Sequence, residues 1–182
     1  MTTPAQQATS ALQAQLASGA LAGDWTLDPA RSTVALRSKS IWGLVPVKGA
    51  FGQVTGHGTV SPEGKVTGRI EIAAESIDTG NAKRDKHLRS ADFFLSEKHP
   101  MITFDLDGLT ITADGVTGAG TLTVRERSNR LTFPATVTVG GDGEVVLDAT
   151  IHVNRADFRL TWNQLGMSST QNTIIIHAVF AR

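Results

Sequence analysis

The stretch "SIDTGNAKRDKHLRSADFF", Ser76 to Phe94, concentrates most of the chemistry this chain could perform. Asp78-Thr79-Gly80 is the tripeptide that supplies the carboxylate of aspartic proteases, and Asp85, His87 and Ser90 are the three residue types of a hydrolytic triad. A protease dyad needs two such carboxylates sharing one proton, and the sequence holds a single Asp-Thr-Gly, so a dimer would have to supply the second. The cationic run that follows works against this, because it stabilises both ionised carboxylates. The triad fails on geometry: residues two apart on a helix point to different sides, whereas nucleophile, base and orienting acid must lie in a hydrogen-bonded line. No Gly-x-Ser-x-Gly elbow occurs. The structural reading is that Thr79-Gly80 ends a strand, Asn81 caps a short helix, and Asp85 pairs with Arg89 at i and i+4 in the favourable acid-first order.

The remaining chemical candidates are thinner. None of the five histidines stands in His-x-x-x-His or His-Glu-x-x-His spacing, and no cysteine is present to make a thiolate site or a disulfide. No metal is assigned; His87 and His99 are the pair a fold could bring together. Lys83, Arg84, Lys86 and Arg89 could hold a phosphate or carboxylate head group, against the plainer meaning of a solvated charged face. Gly-x-Gly occurs in "VTGHGTV" and "VTGAGTLT", but Ser61 and Thr123 stand where a dinucleotide fingerprint needs its third glycine, and a strand follows instead of a helix. These glycines are expected at bulges or barrel corners. No cofactor and no catalytic residue is assigned.

The elements that must position these groups are mostly strands. At 182 residues the chain makes one domain, given that domains cluster near roughly 100 to 150 residues and all-β barrels run longer. Lys+Arg and Asp+Glu both number 17, which leaves no basic excess for nucleic acid or anionic lipid surfaces. No run of about 18 apolar residues predicts a membrane-spanning helix. Residues 1–22 read as an N-terminal extension in which Ala8, Leu12 and Leu16 recur every four residues, giving a short helix over 4–18 or a frayed tail. The lack of Lys or Arg ahead of its apolar residues is unlike a secretory signal, so a cytoplasmic location is expected.

From Trp25 onward the period changes to two. Val34 and Leu36, Ile70 and Ile72, Ile102 and Phe104, Leu131 to Val139, and Val145 to Val153 each alternate with polar neighbours, which describes strands with one buried face in an antiparallel sheet. Turn chemistry falls at "SPEGK", "LDGL", "ADGV" and "GGDGE". About eight strands at this spacing make an up-and-down meander, and closing it into a barrel removes both edges. The run "NTIIIHAVFAR" is the closing strand, with Ile174, Ile176, Ala178 and Phe180 on one side and His177 on the other. Aromatic residues fall on the inward faces. They are either plain core or the lining of an apolar tunnel.

"DWTLDPARSTVALRSK", "VKGAFGQVTGHGTV", "SIDTGNAKRDKHLRSADFFLSEKHPMITF" and "NRADF" resemble the YceI-like proteins, also called the polyisoprenoid-binding or lipid-binding YceI family. The resemblance spans Asp24 to Arg182 and is densest in "DTGNAKRDKHLRSADFF" followed by "HPMITF". It implies an all-β, lipocalin-like eight-stranded antiparallel barrel over residues 23–182, often homodimeric, around a pocket for a polyisoprenoid, an isoprenoid quinone or a fatty-acyl lipid. It implies no catalytic residues. The chain departs from the family at His99, where an aromatic often precedes the proline, and at Arg159, where glycine often follows Asp-Phe. Trp42, Phe51, Ile102, Phe104, Leu122, Phe133, Phe158 and Trp162 are the candidate pocket residues. The resulting expectation is a carrier or sequestering protein for a long apolar ligand. Its rivals are an enzyme on a lipid or small metabolite using Asp85, His87 and His99, and an interaction protein with a filled barrel. Phe93-Phe94 are expected to pin their connection to the barrel, with the bases bordering the pocket mouth.

Overall fold

Period-two alternation becomes a closed wall because every strand pairs in antiparallel register with the strands beside it. The computed structural model describes residues 4–141 and 143–182. Its elements are α1 (Pro4–Ala17), β1 (Gly23–Leu27), β2 (Thr33–Ser40), β3 (Val45–Phe51), β4 (Val54–Val60), β5 (Val66–Ala73), β6 (Ile77–Asp78), α2 (Ala82–Arg89), β7 (Met101–Thr112), β8 (Gly115–Val124), β9 (Arg127–Val139), β10 (Glu144–Asn154) and β11 (Gln171–Ala181). The ladder runs β1-β4-β5-β7-β8-β9-β10-β11 and closes where β1 pairs with β11, Leu27 opposite Phe180. β2 and β3 extend the same wall, since β2 pairs with both β11 and β3. The result is a closed eight-stranded antiparallel barrel in which β1 with β2, β3 with β4, and β5 with β6 are broken staves.

The first of these breaks has a physical reason. Between β1 and β2 the chain leaves the ladder, and the buried Ser32 hydroxyl accepts from the Val179 N–H at 3.0 Å, while Asp28 N–H donates to Val179 O at 2.8 Å. Those bonds satisfy the β11 groups that the gap would otherwise orphan. Val179 is thereby buried on the outer face, a position that strand alternation assigns to solvent. "LDGL", expected as a turn, instead lies inside β7, where the register shifts between Leu106 and Gly108. Asp107 sits at that bulge and pairs with Arg130 at 2.9 Å. Of the expected "GGDGE" turn, Asp142 lies outside the described residues.

One end of the barrel is sealed by α1. Leu12, Leu16 and Leu21 are buried with Trp25, Val60 and Val116, whereas Ala8 is exposed, so the docking stripe is shorter than the repeat suggested. A 14-residue helix is marginal alone. Burying each leucine contributes about 1.5–3 kcal/mol, which is what holds it. Trp25 Nε1 donates to Leu21 O at 3.0 Å, and the Arg182 guanidinium stacks 4.4 Å from the Trp25 ring centroid. Gly64, at φ +84°, permits the close approach: a Cβ there would lie 3.0 Å from Leu16 O.

Candidate functional site

The inward faces do not fill the barrel. A cavity of about 300 Å³ occupies the half near α2, and a smaller one of about 100 Å³ lies beneath α1. Between them stand Phe104 on β7 and Phe133 on β9, packed edge to face at 5.6 Å. Both rings reach across β8, and the glycines there make room: a Cβ at Gly118 would sit 2.7 Å from the Phe133 ring, and one at Gly120 would sit 2.6 Å from the Phe104 ring. The glycines of "VTGAGTLT" therefore make space for the two rings, and they stand opposite the bulge in β7, where the register shifts between Leu106, paired with Gly120, and Gly108, paired with Ala119.

The α2 connection closes the other end of the large cavity through polar contacts. Asn81 caps α2 by accepting from Arg84 N–H at 3.0 Å, as its residue type predicts. Asp85 does not pair with Arg89. It is buried and accepts from Thr79 N–H at 3.0 Å and from Thr79 Oγ1 at 2.5 Å, while Arg89 Nη2 donates to Ile77 O at 2.8 Å. Arg84 completes the knot, donating through Nε to Thr79 Oγ1 at 2.7 Å and through Nη2 to Thr79 O at 2.9 Å. The Asp-Thr-Gly tripeptide thus serves to bind α2 to the end of β6.

Beyond α2, Phe94 is buried in the core against Phe51, with ring centroids 5.9 Å apart. Phe93 turns towards the cavity, where it packs with His87 at 5.2 Å and Trp162 at 5.6 Å. His87 Nε2 bonds Asp92 Oδ2 at 2.8 Å, and its ring stands edge-on to Trp162 at 4.3 Å. Ser90 Oγ donates to the His87 carbonyl, and Asp85 is engaged by Thr79, so the triad residue types serve separate partners. His99 is half-buried in the loop before β7, its N–H bonded to Leu95 O at 2.9 Å. Among the described residues no group of three or more His, Asp or Glu side chains is placed to hold a metal.

Of the residues expected at the pocket, Phe51, Ile102, Phe104, Leu122, Phe158 and Trp162 line the large cavity, and Phe133 lines the small one. Trp42 lines neither. It is 69% exposed at the tip of the β2–β3 hairpin, beside exposed Ile41 and Leu44, and both Ile41 and Trp42 have positive φ. That turn carries the side chain outward, away from the strand end whose proximity had placed it at the pocket. The residue that sequence reasoning missed is Arg155. It follows Ala149, Ile151 and Val153 at spacing two, so the register itself aims it inward, and it lines the large cavity at 7% exposure. Burial holds its guanidinium below the ordinary arginine pKa. Lys39, Arg84 and His87 also border this cavity, and among the described residues no Asp or Glu does.

A closed antiparallel barrel around a lined, largely apolar interior defines a protein of the lipocalin-like class. The model of the YceI-like domain matches residues 25–180, and the chain belongs to the YceI-like family. A UPF0312 protein of Yersinia enterocolitica is 27% identical over 135 residues, covering 70% of each chain. The crystal structure of Burkholderia cenocepacia BcnA shares the fold at a TM-score of 0.75 with 23% identity, over 84% of this chain and 98% of that one. A polyisoprenoid binding domain from Saccharophagus degradans, implicated in plant cell wall breakdown, shares it at 0.69 with 15% identity, over 86% and 97%.

Proposed function

We propose that the large cavity binds a long apolar chain, a polyisoprenoid, isoprenoid quinone or fatty-acyl lipid, which the protein carries or sequesters. The observation that supports this most is the lining: Val34, Leu36, Ile72, Leu122, Ile151 and Ile174 present hydrocarbon around a void that core packing would otherwise fill. Such a wall stabilises a ligand by about 25 cal/mol per Å² of apolar surface removed from water, with little directional recognition. The polyisoprenoid-binding character of the Saccharophagus degradans domain agrees with this choice of ligand class. A homodimer, expected from the family resemblance, belongs to the same proposal and is checked by sedimentation equilibrium.

Native mass spectrometry of the purified protein, followed by organic extraction, tests the reading. A mass excess that dissociates as a lipid, or uptake of a prenyl or fatty-acyl chain by the delipidated protein, is the expected result. A protein of unaltered mass that ignores prenyl chains, quinones and fatty acids sinks it.

A further inference from the structure

Arg155 is a buried cation whose bonds are only partly made. Its Nε donates to Ser169 O at 3.0 Å, and its Nη1 donates to Leu160 O at 2.5 Å and Trp162 O at 2.8 Å, so three backbone carbonyls fix the guanidinium plane. Among the described residues Nη2 is buried without a hydrogen-bond partner, although it carries two hydrogens. Among the described residues no carboxylate stands within ion-pair distance of Arg155, whereas Arg31 and Arg130 each have one and Arg69 has two. A guanidinium cannot escape this situation by losing its proton, because its pKa lies too far above neutrality. An unpaired buried charge is costly to the fold, and one held rigid by three carbonyls is set to receive an acceptor. Its surroundings show which kind. Among the described residues the cavity it lines is bordered by Lys39, Arg84 and His87 and by no acid, and the Phe93 ring lies under the guanidinium at 5.6 Å.

We propose that the ligand is an amphiphile with an anionic oxygen head, a carboxylate or a phosphate, seated on Nη2 of Arg155 at the α2 end of the cavity while its apolar chain runs towards Phe104. This rests on the reading that the cavity holds a chain, and adds the chemistry of its head. Arg84, fixed by Thr79, and Lys39 supply further positive charge at that end. Guanidinium geometry matches either oxyanion, so the carboxylate and the phosphate are separate arms of one test.

The test is a competition series on delipidated wild-type protein, with a fluorescent chain probe displaced by four ligands of one chain length: hydrocarbon, methyl ester, carboxylate and phosphate. The carboxylate or the phosphate binds at least tenfold tighter than the hydrocarbon and the ester, and whichever arm wins identifies the head. In Arg155→Met that preference falls to within about twofold, while Arg155→Lys retains part of it. Equal affinity across the series overturns the proposal, as does a preference for the neutral ester. An anionic preference that survives in folded Arg155→Met overturns the assignment to Arg155. If neither variant folds, the wild-type series decides alone. A protein that takes up none of the four overturns the chain-binding reading and the head with it, whereas uptake blind to the head overturns only the head.

Discussion

The two ends of the barrel are both covered by a helix, and the covers work by opposite physics. At one end α1 inserts Leu12 and Leu16 into an apolar layer with Leu21, Trp25 and Val116, and the small cavity beneath it is lined almost entirely by hydrocarbon. At the other end α2 buries a charged residue, Asp85, and is held by side-chain-to-backbone bonds through Thr79 and Ile77. Non-directional burial makes a plug; directional polar bonds fix Arg84 through Thr79, His87 through Asp92 and, across the cavity, Arg155 through three backbone carbonyls. Recognition needs defined polar positions, so the α2 end is the one equipped to read a ligand's head. The α1 end sets how deep a chain can go.

The largest break in this comparison comes from removing what separates the ends. Phe104 lines both cavities and packs on Phe133, so Phe104→Ala joins them into one channel that reaches the underside of α1. Truncating a buried phenylalanine costs about 3–5 kcal/mol, which denaturant titration reads as a lowered midpoint with unchanged slope. In the same variant the preferred chain length in the displacement assay rises by several carbons. A stability loss with no change in length preference would mean that the two rings are ordinary core and do not limit the chain.

A smaller effect tests the polar knot. Asp85→Asn keeps the shape but replaces an ionised acceptor of two Thr79 bonds with a neutral amide, part of which is a donor facing donors. The expected loss is about 1–3 kcal/mol. Hydrogen exchange localises it: amides of 79–90 exchange faster, while those of α1 and β8 are unaltered, because among the described residues the two covers share no hydrogen bond. Acceleration spreading to α1 would show that the ends are coupled, contrary to the division drawn above.

The barrel was legible in the sequence because it rests on period two, which places Phe51 on β3, Ile102 on β7 and Leu122 on β8 towards the cavity. The Asn81 cap was legible because its chemistry is local. What escaped was decided over distance or by backbone sign. Asp85 was expected on Arg89 by helix spacing, yet Thr79 outcompetes a surface arginine because it presents two donors to a carboxylate that α2 buries. Trp42 was expected inward by proximity to a strand end, and the positive φ of Ile41 and Trp42 turned it out. Arg155 was legible in register and missed in type, since an arginine in a hydrophobic phase reads as a strand terminus until its carbonyl partners are seen.

The smallest expected effect concerns the position where the family resemblance implies glycine. Arg159 adopts φ 57° and ψ 26°, the left-handed region, at the end of the 3₁₀ turn Arg155–Phe158. That reversal lets both neighbours, Phe158 at 3% and Leu160 at 5% exposure, turn inward on either side of an exposed residue. A Cβ in this conformation costs roughly 1 kcal/mol, and glycine relieves it while giving back part in unfolded-chain entropy. Arg159→Gly therefore raises stability by about 0.5 kcal/mol, a net of those two terms. Its ligand affinity stays that of the wild type, because the backbone reversal that points Phe158 and Leu160 at the cavity is the same in both. A loss of head-group preference in Arg159→Gly would show that this exposed arginine adds to the cationic end, and that the contrast between the two ends extends outside the barrel wall.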